Sequence, residues 1–280
     1  MAYKTILMHL NNEERVARLA GAAMQLALPT NAHLTGLFVV PAAPAKSPLL
    51  PMISGGAIQS ALDAYRKTGA GIRKALEAAT AAQPIVAEWR LYDARRPGYI
   101  EAVLTHARTA DLVVAAQKES DWDYADMFDI PDWLAMESGR PVLVVPNVGD
   151  MASIGERVLI AWNNSRESTR AVFDALPVLA RAKDVTVLVV EEADKPGTKG
   201  DLAGAEICAT LARHGVKATT QQVKPGRGDA GVELLAQVAA NKCDLLIMGC
   251  YGRSRFREFV LGGATRHVLQ NAMVPVLMGH

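Results

Sequence analysis

The two halves of the chain repeat the same order of apolar runs and amphipathic stretches. Residues 4–8 form a short apolar run that the polar turn Asn11-Asn12-Glu13 follows, and residues 157–161 form its counterpart before Asn163-Asn164-Ser165. After each turn, apolar residues recur at the spacing of an amphipathic helix. A repeat with a period of half the chain constrains the fold strongly, because both copies must form the same kind of unit.

The remaining runs continue the repeat and predict the secondary structure of both halves. Further strands are predicted at 34–40, 85–91, 110–115 and 139–146 in the first half, and at 185–190, 217–223, 243–248 and 274–279 in the second. Further helices are predicted at 57–82 and 99–108, and at 202–214, 231–241 and 264–270. Strands that are apolar throughout indicate sheets covered on both faces, and their alternation with helices indicates parallel strands. We therefore predict an α/β fold with two tandem, doubly wound, five-stranded, Rossmann-like domains at 1–147 and 154–280.

A proline-rich stretch at 41–56 is the main departure from the repeat. It contains four prolines, which predicts an irregular loop after the second strand. Two interpretations stay open: a tolerated surface insertion, which is the more common case, or a lid or contact surface.

The composition excludes several classes of protein. With 30 basic and 29 acidic residues the net charge is +1, which argues against a dedicated nucleic-acid binder. The first residues lack the pattern of a signal peptide, and no apolar stretch approaches the roughly 20 residues of a membrane span. Cys208, Cys243 and Cys250 are too few and too irregularly spaced for a disulfide framework or a zinc site. We expect a cytoplasmic protein with no membrane partner.

Glycines and basic residues follow the fourth strand of the second half. Gly249 and Gly252 are separated by two residues, Gly262 and Gly263 follow, and the helix predicted at 264–270 begins there. Such glycines let the backbone approach a phosphate, and successive N–H groups with a helix N-terminus attract anions. Arg253 and the Thr265 hydroxyl add further groups for a phosphate. A plain strand-to-helix turn is the alternative interpretation of the first two glycines.

This G-x2-G-x9-G pattern, after the strand DLLIM and before the strand PVL, resembles the ATP-binding signature of the universal stress protein family. The resemblance covers both halves, so the chain is similar to a tandem universal stress protein. It implies ATP as the ligand, with AMP and ADP as alternatives, and leaves open an accompanying Mg²⁺. The residues that it implies for binding are Asn163 for the ribose, Val189 and Val190 for the adenine edge, and Gly249, Gly252, Arg253, Gly262, Gly263, Ala264 and Thr265 for the phosphates.

Two positions of the second half depart from the family's pattern. Gly263 stands where the family usually has Ser or Thr, which removes a hydroxyl but keeps a backbone N–H. Asn163 stands where the family has an Asp that holds the ribose. An amide still bonds a ribose hydroxyl, but without the charge that strengthens such bonds.

The first half departs much further from the pattern. Ala116 occupies the place of Gly249, Leu10 or Asn11 occupies the place of the ribose Asp, and no glycine follows until Gly139. The intervening stretch is acidic, with Asp121, Asp123, Asp126, Asp129 and Asp132. We predict that this half has lost its nucleotide site, and that the acidic stretch is a solvated loop rather than a metal site.

The resulting prediction is a cytoplasmic stress-response protein that binds an adenine nucleotide in its second half without efficient catalysis. Family members dimerise through their last strands, so we expect residues 142–145 beside residues 274–278 in an intramolecular pseudo-dimer, and two chains to pair as a homodimer. Two alternatives stay open. One is a slow ATPase or nucleotidyl-transfer enzyme, for which Glu258 is the only carboxylate in the loop, and the other is a nucleotide-free interaction scaffold.

Overall fold

A computed structural model describes residues 2–42, 55–94, 98–119, 121–122, 125–191, 204–224, 230–250 and 263–280. The chain divides into two compact units, Tyr3–Leu134 and a second unit that contains Ala135–His280. The predicted domain boundaries, at 147 and 154, stay a prediction.

The first unit alternates strands and helices, as the apolar runs predict. Its elements are β1 (Thr5–His9), α1 (Val16–Ala27), β2 (His33–Val40), α2 (Gly55–Thr80), β3 (Ala87–Asp93), α3 (Tyr99–Ala107), β4 (Leu112–Ala116), α4 (Ala125–Phe128) and the first part of α5 (Pro131–Glu137). The strands lie in the order β3-β2-β1-β4, and every pair among them is parallel. The direction of strand order reverses between β1 and β4, which is the place where open α/β sheets bind ligands.

The second unit repeats this arrangement and adds one strand. Its elements are β5 (Val142–Val145), β6 (Arg157–Ala161), α6 (Arg166–Asp174), α7 (Leu176–Leu179), β7 (Asp184–Val190), α8 (Ala205–Arg213), β8 (Ala218–Val223), α9 (Ala230–Ala240), β9 (Leu245–Gly249), α10 (Gly263–Asn271) and β10 (Val276–Gly279). The strand order is β5-β10-β9-β6-β7-β8, with β5 antiparallel and the others parallel. In this unit the order reverses between β6 and β9.

The predicted fold class is confirmed, and one strand is placed differently from the expectation of five in each unit. β5 comes from the first repeat, yet it belongs to the second compact unit. The reason is its antiparallel pairing with β10, in which Leu143 lies opposite Leu277 and Val142 opposite Met278. The predicted neighbourhood of residues 142–145 and 274–278 is therefore confirmed.

Equivalent aspartates show that the repeat extends to individual hydrogen bonds. Asp111 precedes β4, and its carboxylate accepts from the backbone N–H groups of Lys4 and Thr5 at the start of β1, at 2.8 and 3.0 Å. Asp244 precedes β9 and accepts from the N–H of Arg157 at the start of β6, at 3.0 Å. Each aspartate thus holds the beginning of the central strand beside it.

The sheet registers align the two halves residue by residue. Ile6 pairs with Leu112, and Val158 pairs with Leu245 in the same way. Counting along the strands from these pairs makes Asn11 the counterpart of Asn163, and Ala116 the counterpart of Gly249. Of the two positions left open for the ribose Asp in the first half, the register selects Asn11.

None of the helices in the described part of the chain is long and apolar enough to cross a membrane.

Candidate functional site

The switch point of the second unit lies at the carboxyl ends of β6 and β9, and Asn163 follows β6 there. Asn163 is exposed, and its side-chain oxygen accepts a hydrogen bond from the Ser165 N–H at 3.2 Å. Ser165 caps α6, because its hydroxyl accepts from the Ser168 N–H at 3.2 Å. The turn therefore holds Asn163 at the edge of the sheet, and within the described part of the chain its amide N–H₂ group donates to no other residue.

The end of β7 presents backbone groups at the same edge. The last pair between β6 and β7 joins Ala161 and Leu188, and the Trp162 N–H donates to the Leu188 carbonyl at 2.9 Å. The peptide groups of alternate residues point to the same side of a strand. Since the carbonyl of Leu188 points toward β6, the N–H and C=O of Val190 also point to the β6 side, beyond the last pair of Ala161 with Leu188. Those of Val189 point toward β8, where Val189 pairs with Gln222. Both side chains are buried.

Gly249 ends β9, and its lack of a side chain has a packing reason. A Cβ there would lie 2.5 Å from the Glu167 carbonyl carbon and the Ser168 nitrogen. Its partner in β10, Gly279, approaches the Ala171 Cα in the same way, with a Cβ–Cα separation of 2.7 Å. The two paired glycines let α6 lie directly on β9 and β10. This close approach accounts for Gly249 independently of any ligand.

Cys250 opens the loop and is fully buried. Its N–H donates to the Gly279 carbonyl at 3.0 Å, and its own carbonyl lies 2.9 Å from Nδ1 of His280. No sequence pattern marks His280 as a neighbour of the loop, since the two residues are 30 positions apart. A buried thiol is poorly suited to sensing oxidants.

Gly263 begins α10, and the first turn of this helix lies against the first turn of α9. A Cβ on Gly231 would lie 2.8 Å from the Ala264 carbonyl oxygen. Thr265 is buried in this turn, whereas Gly263 is exposed. Gly252, Arg253, Gly262 and Glu258 lie outside the described residues.

The equivalent position in the first unit has a different environment. Asn11 is buried, and its amide donates to the Phe128 carbonyl at 2.8 Å and to Oδ1 of Asp129 at 2.9 Å. Asp129 is only 5% exposed. The expectation of a solvated acidic loop is therefore wrong for Asp129, because this carboxylate faces the switch point. Within the described residues, no group of three His, Cys, Asp or Glu side chains is arranged to hold a metal ion.

Arg15 neutralises Asp129 at this position. Its Nη2 lies 2.8 Å from Oδ1 and its Nη1 lies 3.1 Å from Oδ2, a bidentate arrangement. Nη2 also donates to the Asn11 side-chain oxygen at 2.9 Å, and the guanidinium lies 4.8 Å from the centre of the Trp122 ring. The sequence analysis does not name Arg15 as a site residue. The only sequence signal for it is its position four residues after Asn11, to which it is hydrogen-bonded.

An aromatic cluster surrounds Phe128 beside this ion pair. The ring of Phe128 stacks on Tyr65 with centroids 4.2 Å apart and lies 4.8 Å from the ring of Tyr99. The Tyr99 hydroxyl is 2.6 Å from Nε2 of His9. Burial lowers the pKa of His9 to about 4 and raises the pKa of Tyr99 well above its ordinary value.

A cavity of about 820 Å³ lies at the opposite ends of the strands of the second unit. Its lining includes Arg157, Asp184 and Ala218, which begin β6, β7 and β8. Since ligands of open parallel sheets bind at the carboxyl ends of the strands, this cavity is not the candidate site.

Residues 155–280 match the sequence model of the universal stress protein family. A universal stress protein domain therefore occupies the second half of the chain. The match includes Asn163, Val190, Gly249 and the glycine loop. Comparison with curated proteins finds no match.

Solved structures extend the likeness of fold to the first half. A universal stress protein from Archaeoglobus fulgidus is 16% identical, covers 98% of this chain and 94% of its own, and superposes with a TM-score of 0.67. A functionally unknown protein from Pseudomonas aeruginosa is 15% identical, covers 99% of this chain and 92% of its own, and has a TM-score of 0.56. At these identities the likeness shows the fold alone. A universal stress protein in complex with cAMP, 22% identical over 52% of this chain and 98% of its own, has a TM-score of 0.35, too low to bear on the ligand of this protein.

Proposed function

We propose that the second half of this protein binds ATP or another adenine nucleotide, without efficient turnover, at the carboxyl ends of β6, β7 and β9. One observation carries the proposal. The half that matches the universal stress protein family has Asn163, Val190 and Gly249 at one edge of its sheet. That edge is the switch point at which open α/β folds bind nucleotides.

Each part of the nucleotide has a group of suitable chemistry at this edge. The peptide N–H and C=O of Val190 suit the hydrogen-bonding edge of adenine, because they point beyond the last β6–β7 pair, and Val189 supports them from the β8 side. The Asn163 amide suits a ribose hydroxyl.

In this proposal the glycine loop and the start of α10 bind the phosphates of the nucleotide. Gly263, Ala264 and Thr265 form the first turn of this nine-residue helix, whose N–H groups and dipole favour an anion. Gly249, Gly252, Arg253 and Gly262 complete the proposed phosphate site. A Mg²⁺ ion bound to the phosphates would offset part of their charge, and we include it in the proposal.

The remaining parts of the proposal concern assembly and location. The pairing of β5 with β10 supports an intramolecular pseudo-dimer of the two repeats, in which β5 takes the place of a second subunit's last strand. We propose that the protein acts in the cytoplasm in a stress response and that two chains pair again as a homodimer.

The test begins with the purified full chain. It is denatured, and any released nucleotide is identified by chromatography. The melting temperature is then measured with and without millimolar ATP, for the wild type and for Gly252→Val, which places a side chain at the proposed phosphate site. We expect stabilisation of the wild type and none of the variant. No bound nucleotide together with no ATP-dependent shift would refute the proposal.

Turnover is measured in the same samples as release of ADP. We expect rates far below those of an ATPase, and no further fall in Glu258→Gln. Efficient release of ADP that depends on Glu258 would replace the proposal with the enzyme interpretation.

A further inference from the structure

We infer that the switch point of the first unit is a binding site for an aromatic carboxylate, and that the chain's own Phe128 and Asp129 occupy it. These two residues are adjacent in the chain and present a ring and a carboxylate. The inference concerns the first half alone and is independent of nucleotide binding in the second half.

The carboxylate of Asp129 is held as a ligand's carboxylate would be. Arg15 donates from both terminal nitrogens, to Oδ1 at 2.8 Å and to Oδ2 at 3.1 Å. The Asn11 amide donates to Oδ1 at 2.9 Å, and the Glu119 N–H donates to Oδ2 at 3.0 Å. Paired N–H donors of an arginine match the geometry of a carboxylate, and burial strengthens the match.

The burial of the Arg15 guanidinium group is a second observation that supports a binding site. The Arg15 side chain is 8% exposed, and its Nε is buried without a hydrogen-bond partner among the described residues. Burying an arginine with an aspartate contributes little net stability compared with apolar packing of similar volume. The arrangement is therefore better explained by recognition of a carboxylate than by stability of the fold.

The ring of Phe128 is held separately by two helices. Tyr65 from α2 stacks on it at 4.2 Å, and Tyr99 from α3 lies at 4.8 Å. Both tyrosines are less than 10% exposed. Aromatic pairs at such distances contribute stabilisation beyond the area that they bury.

Phe128 and Asp129 themselves come from a weak local element. The helix α4 has four residues, too few to be stable on its own. Most of the groups that hold these two residues come instead from α2, α3, the turn after β1 and the 3-10 helix Glu13–Arg15 that precedes α1. One further donor, the Glu119 N–H, follows β4. The surrounding helices and turns form the site, and Phe128 and Asp129 are its occupant. A free molecule with an aromatic ring and a carboxylate can therefore replace these two side chains.

The test vacates the site and supplies the missing groups from solution. The full chain carrying Phe128→Ala and Asp129→Ala is melted with and without about 10 mM 3-phenylpropionate, a ring joined to a carboxylate. We expect the acid to raise the melting temperature by roughly 3 °C or more. Benzyl alcohol, which has the ring alone, and acetate, which has the carboxylate alone, should raise it by much less.

Two matched samples identify the site. The same double variant with Arg15→Met should lose the response, because the carboxylate then has no cation to pair with and keeps only the neutral donors of Asn11 and Glu119. The wild type should not respond, because its site is filled. The inference would be overturned if the wild type or the Arg15→Met variant were stabilised as much as the double variant is. It would also be overturned if 3-phenylpropionate did not stabilise the double variant.

If the double variant is unfolded in buffer, the measurement becomes the return of a cooperative thermal transition when 3-phenylpropionate is added. Asp129→Ala alone gives a further readout, since acetate then replaces only the missing carboxylate. Recovery of its stability by acetate supports the inference, and failure of both acids to restore either variant contradicts it.

Discussion

At the scale of single residues, two equivalent asparagines differ in burial and in hydrogen-bond partners. Asn11 is buried and bonds to Phe128 and Asp129, whereas Asn163 is exposed and bonds to the Ser165 N–H. The sheet registers make them counterparts, so their environments differ because the segments after β4 and β9 have different sequences. The same residue type is buried against its own chain at one switch point and exposed at the other.

Replacing Asn163 with Asp should tighten ATP binding. A carboxylate keeps the bond to the Ser165 N–H and makes a charge-assisted bond to the ribose, which corresponds to about a three- to tenfold lower Kd. Titration calorimetry of the full chain measures the change. Asn12→Asp, which adds the same charge in the first half, is the control and should leave the Kd unchanged; equal effects of the two variants would contradict the ribose assignment.

The buried His9 predicts a loss of stability at acidic pH. Burial lowers the pKa of its imidazole to about 4 in the folded protein, from 6.5 in the unfolded chain. Tyr99 faces the ring, and the charges of Asp129 and Arg15 lie close enough to act on it in opposite directions. Between these two pKa values only the unfolded chain takes up the proton. Stability from this residue is therefore complete above pH 6.5 and is lost as the pH falls toward 4.

His9→Gln should flatten this pH dependence while keeping a polar partner for Tyr99. From about pH 7 to about pH 4.5, the wild type should lose about 2 to 3 kcal/mol more unfolding free energy than the variant does. Urea denaturation at both pH values measures the difference. His214→Gln, a change at an exposed histidine, should leave the loss as in the wild type; an undiminished loss in the His9 variant would show that protonation of this imidazole is not the cause.

Gly249 and Gly21 should respond in opposite ways to alanine. A methyl group at Gly249 meets the backbone of α6 at 2.5 Å, whereas nothing lies within 4 Å of one at Gly21 in α1. Gly249→Ala should cost about 1 to 3 kcal/mol of unfolding free energy. Gly21→Ala should add about 0.5 to 1 kcal/mol, because alanine favours a helix. Similar denaturation midpoints for the two variants would contradict the close packing of α6.

At the scale of elements, the aspartates before β4 and β9 hold the central strands in place. Asp244 accepts from the Ser153 hydroxyl at 2.6 Å and from three backbone N–H groups at 3.0 to 3.1 Å. Asp111 bonds the start of β1 in the same way. These bonds join the beginning of each central strand to a strand that lies far along the chain.

Asp244→Ala and Asp111→Ala should each lower the free energy of unfolding by about 1.5 to 3 kcal/mol, because exposed and partly buried backbone N–H groups lose a charged hydrogen-bond partner. Asp184→Ala is the matched control. Its carboxylate is exposed and lies 3.8 Å from Arg157, so its loss should cost less than about 0.5 kcal/mol. Chemical denaturation measures all three, and a cost at Asp244 no larger than at Asp184 would contradict this role.

The sequence predicts most elements because their signals are local. Apolar runs locate the strands to within about three residues, and helical spacing locates α2, α3, α9 and α10. The prediction of a solvated acidic stretch is wrong at Asp129, because the neutralising partner Arg15 is 114 positions away. A run of aspartates predicts a solvated loop unless the distant cation is known.

At the scale of the whole chain, the repeat predicts the fold better than it predicts the site. Apart from the antiparallel β5, the strands of both units are parallel as expected, and the family match covers 155–280. The placement of β5 follows from its antiparallel pairing with β10, which no local pattern predicts. Asn163, Val190 and Gly249 lie at the expected edge, since the carboxyl ends of parallel strands meet there. The closure of the first switch point depends on contacts between distant residues and could not be predicted.

In the proposed function, one repeat is available to an adenine nucleotide and the other is closed by its own chain. Titration of the nucleotide-free full chain with ATP by calorimetry distinguishes the two repeats, because it counts the sites. We predict one ATP per chain, with binding abolished by Gly252→Val and retained by Asp129→Ala. Two ATP per chain, or binding that survives Gly252→Val and disappears in Asp129→Ala, would contradict this division between the repeats.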